Sequence, residues 1–115
     1  MKLLYAVIQP TKLHTVRDAL KQAGFDRLTV CDAQGFGRQR GQTETYRGHQ
    51  YHLNLVRKVC LEIAVHDDAV ERAVDTIQRA ARTSAEGNIG DGKIFILPMT
   101  DTVRIGQTVR GPEAV

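Results

Sequence analysis

The sequence predicts an α+β fold in which two β-α-β units flank a long polar segment. Three observations support this fold class: apolar strand-like runs, two helical stripes of apolar residues, and a glycine-punctuated stretch without any period. The order is that of the ferredoxin-like βαββαβ arrangement, in which two helices cover one face of an antiparallel four-stranded sheet. We expect a single domain over residues 1–115, because domains commonly comprise roughly 100–200 residues.

The first β-α-β unit occupies about the first thirty residues. An apolar run at residues 2–8 stops before Pro10 and predicts a buried strand. Thr11 is a candidate cap for the helix that follows, and Gly24 is its expected end. The β-branched run at residues 28–31 predicts the second strand. The apolar stripe of the helix comprises Leu13, Val16, Ala19, Leu20 and Ala23.

The second unit follows a flexible loop expected at about residues 36–55, a length that is usually functional or disordered. Residues 59–65 alternate as a strand with one buried face does, and Asp67 or Asp68 is expected to cap the next helix. A glycine-rich loop then leads into a last strand at residues 93–97. Beyond it we expect a short strand at residues 102–105 and a mobile tail at about 107–115. The stripe of the second helix comprises Val70, Ala73, Val74, Ile77 and Ala81.

Composition is typical of a globular protein, with 42% apolar and 25% charged residues. No run of 18 apolar residues occurs, so membrane insertion is not predicted, and we expect a cytoplasmic protein. The net charge of +3 does not indicate nucleic-acid binding. Between Ala33 and Lys58, however, there are five basic residues against one acid, Glu44, and this local excess of positive charge favours an anionic ligand or partner. Apolar residues on both faces of the first and last strands predict an oligomer.

The segment Gly87–Lys93 satisfies the spacing G-x-x-x-x-G-K of a phosphate-binding loop. Ile94 stands where a magnesium-binding hydroxyl is needed, and a strand rather than a helix follows. A true P-loop is therefore not predicted. Two alternatives stay open: backbone N–H groups that converge on phosphate oxygens with help from Lys93, or a plain connecting loop.

The segment Gly35–Gly41 approximates a dinucleotide fingerprint, but its third glycine is misplaced and no helix begins there. Two interpretations of this segment stay open: contact with a phosphate through the backbone and Arg38, or a flexible hinge. No activated nucleophile is evident, so catalysis is not predicted. Cys31 and Cys60 are expected to be buried structural thiols, and a metal site at His49 and His52 lacks a third ligand.

Three stretches in this order resemble the PII signal-transduction family, and the similarity extends from Met1 to about Ile105. They are Val30–Gly41 (VCDAQGFGRQRG), Thr43–Gly48 (TETYRG) and Ile89–Phe95 (IGDGKIF). The resemblance implies a homotrimer with nucleotide sites in the clefts between subunits. ATP and ADP would compete there, and ATP with Mg²⁺ would allow 2-oxoglutarate to bind.

The resemblance also implies which residues act. Gln39 would reach Mg²⁺ and 2-oxoglutarate, and Lys58 would pair with the distal carboxylate of 2-oxoglutarate. Thr29 would lie near the base or ribose. The nucleotide site would comprise Thr29, Gly35, Gly37, Arg38, Gln39, Glu62, Gly90, Asp91, Gly92, Lys93 and Arg104.

In this family the long loop contacts partners such as ammonium channels and nitrogen-regulatory enzymes, so regulation through that loop is implied. Tyr51 stands at the position that a nucleotidylyltransferase modifies in many bacterial members; contact with a partner is the alternative role for this tyrosine. The sequence departs from the usual pattern at four places. They are the loop tip at residues 49–54, a second glycine loop that is longer by about three residues, Asn88, and Gly106, which stands in place of a second phosphate-binding arginine. A PII-like sensor with another effector is therefore the alternative. A nucleoside-diphosphate-kinase-type enzyme is disfavoured, because no histidine is suitably placed.

Overall fold

The computed structural model describes residues 1–36, 43–46, 49–52 and 55–115, with side chains over 1–35 and 55–115. Two α-helices occur in this part of the chain, α1 (Leu13–Gln22) and α2 (Val70–Ala81). Six strands accompany them: β1 (Lys2–Ile8), β2 (Thr29–Phe36), β3 (Thr43–Tyr46), β4 (His49–His52), β5 (Leu55–Val65) and β6 (Gly92–Pro98). Short 3₁₀ helices occupy Pro10–Lys12, Asp67–Ala69 and Gly111–Ala114.

The main sheet has four strands in the order β2-β5-β1-β6, and every neighbouring pair is antiparallel. In the central pair Lys2 lies opposite Val65, while Ile8 lies opposite Val59 on one side and Gly92 on the other. The predicted ferredoxin-like fold is confirmed, since β1-α1-β2 and β5-α2-β6 have the βαββαβ order.

One face of this sheet packs against both helices and forms the core. Leu4 and Leu61 of the sheet are fully buried, as are Val16 and Leu20 of α1, and Ile77 of α2 is 1% exposed. The predicted apolar stripes of both helices therefore supply the core. Helix α1 ends at Gln22, and Gly24, the predicted end, follows two residues later with a φ of 95°.

The opposite face of the sheet, here called the open face, carries a row of apolar side chains. Because side chains alternate along a strand, Tyr5 projects away from the helices, as does Phe95, which lies opposite it in β6. Their ring centroids are 6.3 Å apart. Phe95 is 48% exposed and Leu97 is 43% exposed, so the described chain leaves this end of the open face uncovered.

Both predicted helix caps were wrong. Neither Thr11 nor an aspartate caps a helix, because a 3₁₀ turn precedes each one and satisfies amide groups through the backbone. In the second turn the Ala69 amide donates to the His66 carbonyl at 3.0 Å. Asp67 instead accepts a hydrogen bond from the amino group of Met1 at 2.9 Å.

The strands that flank the long loop are longer than predicted. β2 and β5 pair from Thr29 opposite Glu62 to Phe36 opposite Leu55, so regular pairing extends into the region assigned to the loop. A further hairpin joins β3 and β4, with Thr43 opposite His52. Cross-strand pairing stabilises these stretches although their sequences have no clear alternation of apolar and polar residues.

The carboxyl-terminal segment is folded, in contrast to the expected mobile tail. The Gly111 amide donates to the Thr102 carbonyl at 2.7 Å, and Arg110 contacts Asp101 at 2.6 Å. Ala114 is only 8% exposed. In place of the expected short strand, Val103 forms one isolated bridge with Arg110. Local turn contacts thus order a polar sequence that has no periodicity.

Candidate functional site: a braced glycine loop beside Lys58

The carbonyl oxygen of Gly90 joins three parts of the fold. It accepts hydrogen bonds from Lys58 Nζ of β5 at 2.5 Å and from Gln9 Nε2, just beyond β1, at 2.7 Å. These two donors lie far from Gly90 in sequence, so the contact fixes the glycine loop against the sheet. The sequence did not single out Gln9, because an amide next to a proline carries no distinguishing pattern.

The Asp91 carboxylate closes the glycine loop on itself. It accepts hydrogen bonds from the Thr83 hydroxyl at 2.7 Å, from the Thr83 amide at 3.2 Å and from the Asn88 amide at 2.8 Å. The Asn88 side chain in turn donates to the Thr83 hydroxyl at 2.6 Å. Desolvation acts to raise the pKa of Asp91, but the hydrogen bonds from Thr83 and Asn88 outweigh it and lower the pKa overall.

Gly92 allows β1 and β6 to approach each other at the start of their pairing. Its φ is 130°, and a Cβ atom built at this position would lie 1.8 Å from the carbonyl oxygen of Val7. No side chain fits in that space without movement of the backbone. The glycine is therefore required by tertiary contact, in addition to its unusual backbone conformation.

Lys58 brings a positive charge to this loop. Its side chain is half-buried, and desolvation lowers its pKa, with partial compensation from the charge of Asp91. A Cβ atom added to Gly35 would lie 4.0 Å from Lys58 Cγ, so β2 also borders the site. In the described part of the chain, Lys58 contacts a carbonyl oxygen and forms no salt bridge. An incoming anion would find a partly desolvated cation there.

In one chain the predicted nucleotide-site residues lie in separate places. Gly35 and Gly90–Lys93 gather around Lys58 at one end of the sheet. Thr29 lies opposite Glu62, which is four residues from Lys58 on the same strand and thus about 13 Å away. Arg104 lines a separate cavity of about 410 Å³ near His66, towards the far end of β5.

Arg104 is held within the carboxyl-terminal segment. Its Nε donates to the Ala114 carbonyl and its Nη1 to the Gln107 side chain, both at 3.4 Å. These long hydrogen bonds leave capacity for a stronger acceptor such as a phosphate. The other cations of the same cavity wall are Arg27 and Arg72.

Several predicted residues cannot be placed. Gly37, Arg38 and Gln39 lie outside the described residues, as does the side chain of Tyr51. The backbone of Tyr51 belongs to β4 and lies opposite Glu44. The side chains of His49 and His52 are likewise not described, so the metal alternative at this pair stays a prediction.

A second cavity, of about 540 Å³, lies between the glycine loop, α2 and β6. Its walls combine apolar side chains such as Val74 and Ile77 with Asn88, Asp91 and Lys93 of the loop. Ile89, at the rim, is 78% exposed. The loop therefore borders an apolar recess on one side and the cation of Lys58 on the other.

Over the described ranges, no three His, Cys, Asp or Glu residues cluster closely enough to hold a metal ion. No helix in the same ranges is long and apolar enough to cross a membrane. The described site combines a backbone loop with the basic side chains of Lys58 and Lys93 on a ferredoxin-like sheet, and such an arrangement is suited to bind anions.

Comparison with known proteins identifies the family. The family model for nitrogen regulatory protein P-II matches residues 1–109. A nitrogen regulatory protein P-II of Azospirillum brasilense is 46% identical over 115 residues, and one of Nostoc punctiforme is 48% identical over the same length. Each match covers 100% of both chains. The chain therefore belongs to the P-II family, as its motifs predicted.

Proposed function

We propose that this chain is a nitrogen-signalling protein that binds ATP or ADP, and 2-oxoglutarate when Mg²⁺ and ATP are bound. The ligands would occupy clefts between the subunits of a homotrimer. Their presence would be reported to partner proteins through the loop at about residues 36–55. The relatives are named nitrogen regulatory proteins, which supports the regulatory role and gives no indication of an enzyme.

The observation that carries the proposal is that hydrogen bonds hold the glycine loop in place next to Lys58. The Gly90 carbonyl is already engaged by Lys58 and Gln9, and Asp91 ties the loop to Thr83. Such a loop needs little reorganisation when it meets phosphate oxygens, because its backbone is fixed before the ligand arrives. Lys93, exposed at the start of β6, is available to add a charge-assisted contact.

Lys58 is suited to a carboxylate of the second ligand. It is half-buried, and its pKa is lowered chiefly by desolvation. A carboxylate next to this amine would replace the neutral Gly90 carbonyl with a charged acceptor, which gives a stronger hydrogen bond. Mg²⁺ prefers oxygen ligands and commonly bridges nucleotide phosphates. Gln39 would contact Mg²⁺ and 2-oxoglutarate, as its position in the family motif implies.

A homotrimer would explain why the predicted site residues lie apart in one chain. Gly35, Lys58 and the glycine loop of one subunit would face Thr29 and Arg104 of the next. The uncovered open face, with Phe95 48% exposed and Leu97 43% exposed, supplies apolar surface for such contacts. A cyclic arrangement of this kind uses two different surfaces of each subunit, which a closed ring permits.

Ligand occupancy would reach partners through the long loop, because β2 and β5 lead directly from the site into it. Gly35 is the residue before the end of β2, and Lys58 lies three residues after the start of β5. A ligand that bridges them would bias the conformations of the intervening residues, as in other order–disorder switches. Partners would include an ammonium channel or nitrogen-regulatory enzymes, and Tyr51 would be the acceptor of a nucleotidylyl group.

Isothermal titration calorimetry of the full chain tests this function. ATP, ADP and then 2-oxoglutarate with Mg²⁺ and ATP are titrated into wild type, Lys58→Met and the control Lys21→Met, which removes an exposed lysine of α1. We expect 2-oxoglutarate to bind wild type and Lys21→Met only with Mg²⁺–ATP present. Lys58→Met should weaken 2-oxoglutarate binding at least about tenfold, since a charged hydrogen bond contributes about 1.5–3 kcal/mol. Nucleotide should still bind, because Gln9 and Asp91 continue to hold the glycine loop.

Two results would contradict parts of the proposal. Nucleotide binding without any 2-oxoglutarate binding would favour a divergent P-II sensor with another effector, the alternative that the substituted loop tip and Gly106 suggest. Absence of nucleotide binding would refute the site itself. Sedimentation at the same protein concentration tests the trimer independently, because its outcome does not depend on either ligand.

A further inference from the structure

Ile105 lies at the tip of a tight turn in the carboxyl-terminal segment. The Gln107 amide donates to the Arg104 carbonyl at 3.4 Å and closes the turn. Gly106 supplies a φ of 82°, as the third residue of such a turn often does. Turn tips are usually formed by glycine, proline, asparagine, aspartate or serine, because these residues suit the backbone of a turn. Here an isoleucine stands at the tip instead, and the described part of the chain leaves its side chain fully exposed.

The cavity of about 540 Å³ beside the glycine loop is an apolar recess at the edge of the sheet. Its walls include Val74 and Ile77 of α2 and Ile94 and Ile96 of β6. Ile96 lies opposite Leu4, so it belongs to the face of the sheet that the helices cover. Leu4 is fully buried, yet Ile96 is 48% exposed, because β6 is an edge strand that α2 covers only in part. The recess can therefore accept an apolar side chain from outside the chain.

One chain cannot fill its own recess with Ile105. The recess borders Gly92, at the start of β6, whereas Ile105 comes after the end of that strand at Pro98. Arg104, the neighbour of Ile105 in the turn, lines the other cavity together with His66. A strand of this length spans about 20 Å, so the turn and the recess lie at opposite ends of the sheet. A contact between them joins two copies head to tail, and such contacts close into rings.

The proposed homotrimer determines which surfaces of two copies meet. It sets Arg104 of one subunit against the glycine loop of the next, and the same loop contributes Asn88 and Asp91 to the wall of the recess. Because Ile105 directly follows Arg104, a subunit that brings Arg104 to the loop also brings Ile105 to the rim of the recess. We propose that Ile105 of each subunit inserts into the recess between α2 and β6 of the next subunit, a contact that rests on the proposed homotrimer.

Insertion removes two exposed apolar side chains from water. Ile105 leaves the solvent, and the incoming turn also covers Ile89, which is 78% exposed at the rim of the recess. An apolar anchor that fills a pocket on the partner is typical of the few residues that dominate an interface. Full burial of one isoleucine corresponds to a factor of at least about ten in an association constant. Each subunit of the ring makes this contact twice, once through its turn and once through its recess.

Chemical crosslinking of the full chain tests the contact. Ile105→Cys is combined with Ile89→Cys at the rim of the recess, in a chain that also carries Cys31→Ala to remove the exposed native thiol. A short bismaleimide is added, and denaturing gels separate the products. We expect covalent dimers and trimers to predominate, because each chain carries one cysteine of each kind. The matched control combines Ile105→Cys with Thr15→Cys, at an exposed position of α1, and should stay monomeric on the gel.

Sedimentation of wild type, Ile105→Asp and the conservative variant Ile105→Leu measures the same contact without a crosslinker. We expect Ile105→Asp to weaken assembly of the trimer at least about tenfold, whereas Ile105→Leu should assemble like wild type. Because Ile105 is fully exposed in one chain, Ile105→Asp should keep the circular dichroism spectrum of the folded chain.

Two outcomes would overturn the insertion while the homotrimer stands. A trimer that crosslinks no better than the Thr15→Cys control would show that Ile105 lies elsewhere and that the recess takes another occupant, such as a small molecule or a different protein. Unchanged assembly of Ile105→Asp would show that this side chain anchors no interface. A wild type that sediments as a monomer would refute the insertion and the homotrimer together.

Discussion

Substitution of Gly92 by alanine tests whether the glycine loop is fixed by close contact with β1. The added Cβ atom would lie 1.8 Å from the Val7 carbonyl oxygen and 3.2 Å from Ile8 Cα. These atoms belong to the backbone of the central strand pair, so no side-chain rotation relieves the clash. Either β6 moves away from β1, or the loop that begins β6 changes its path.

The magnitude follows from two costs. A side chain at a φ of 130° adds backbone strain of about 1–3 kcal/mol. Displacement of a packed backbone adds about 1–3 kcal/mol more, as overpacking does elsewhere. We therefore expect the free energy of unfolding of Gly92→Ala to fall by about 2–6 kcal/mol. With a urea m value of roughly 1–3 kcal/mol/M, a loss of about 3 kcal/mol lowers the midpoint by about 1 M or more.

Gly24→Ala is the matched control. Gly24 also has a positive φ, 95°, but nothing lies within 4 Å of an added Cβ atom. Only backbone strain of about 1–2 kcal/mol is then expected. Urea unfolding followed by circular dichroism, at one chain concentration for all variants, measures the difference. Equal midpoints for the two variants would refute the argument from close contact.

Three further predictions follow from individual contacts. Asp91→Asn should weaken the loop by about 1 kcal/mol per lost hydrogen bond. The pKa of Asp91 is lowered from its ordinary 3.8. The stability that the Asp91 carboxylate contributes should therefore be present above that pH and be lost as the pH falls through the folded-state pKa. An acid titration in which wild type and variant lose stability in parallel would contradict this. Desolvation lowers the pKa of Lys58 from 10.5, and a carboxylate of 2-oxoglutarate next to the amine should raise it again. Binding of 2-oxoglutarate at alkaline pH should therefore take up protons. Identical binding heats in buffers of different ionisation enthalpy would argue against a contact between Lys58 and 2-oxoglutarate. Asp101→Asn replaces the carboxylate that accepts from Arg110 Nε at 2.6 Å with a neutral amide. The weaker contact should speed hydrogen exchange at the Gly111 amide, whereas unchanged exchange would mean that the segment is held elsewhere.

The sequence determined the fold class because its apolar residues recur at the periods of strands and helices. Leu13, Val16 and Leu20 all pack in or against the core, as their spacing predicted. The glycine loop was also evident, since Gly87–Lys93 matched a phosphate-loop spacing. Local periodicity and short motifs involve residues that are close along the chain, so they can be read directly from the sequence.

Tertiary structure decided what holds the site together. The Gly90 carbonyl accepts hydrogen bonds from Gln9 and Lys58, and the Val7 carbonyl leaves no room for a side chain at Gly92. Each of these contacts joins residues on different strands, so no local pattern in the sequence encodes it. The same reason explains the wrong expectation for Cys31, which is exposed because β2 lies at the edge of the described sheet. Burial and hydrogen-bond partners depend on strand order, and strand order exists only once the chain has folded.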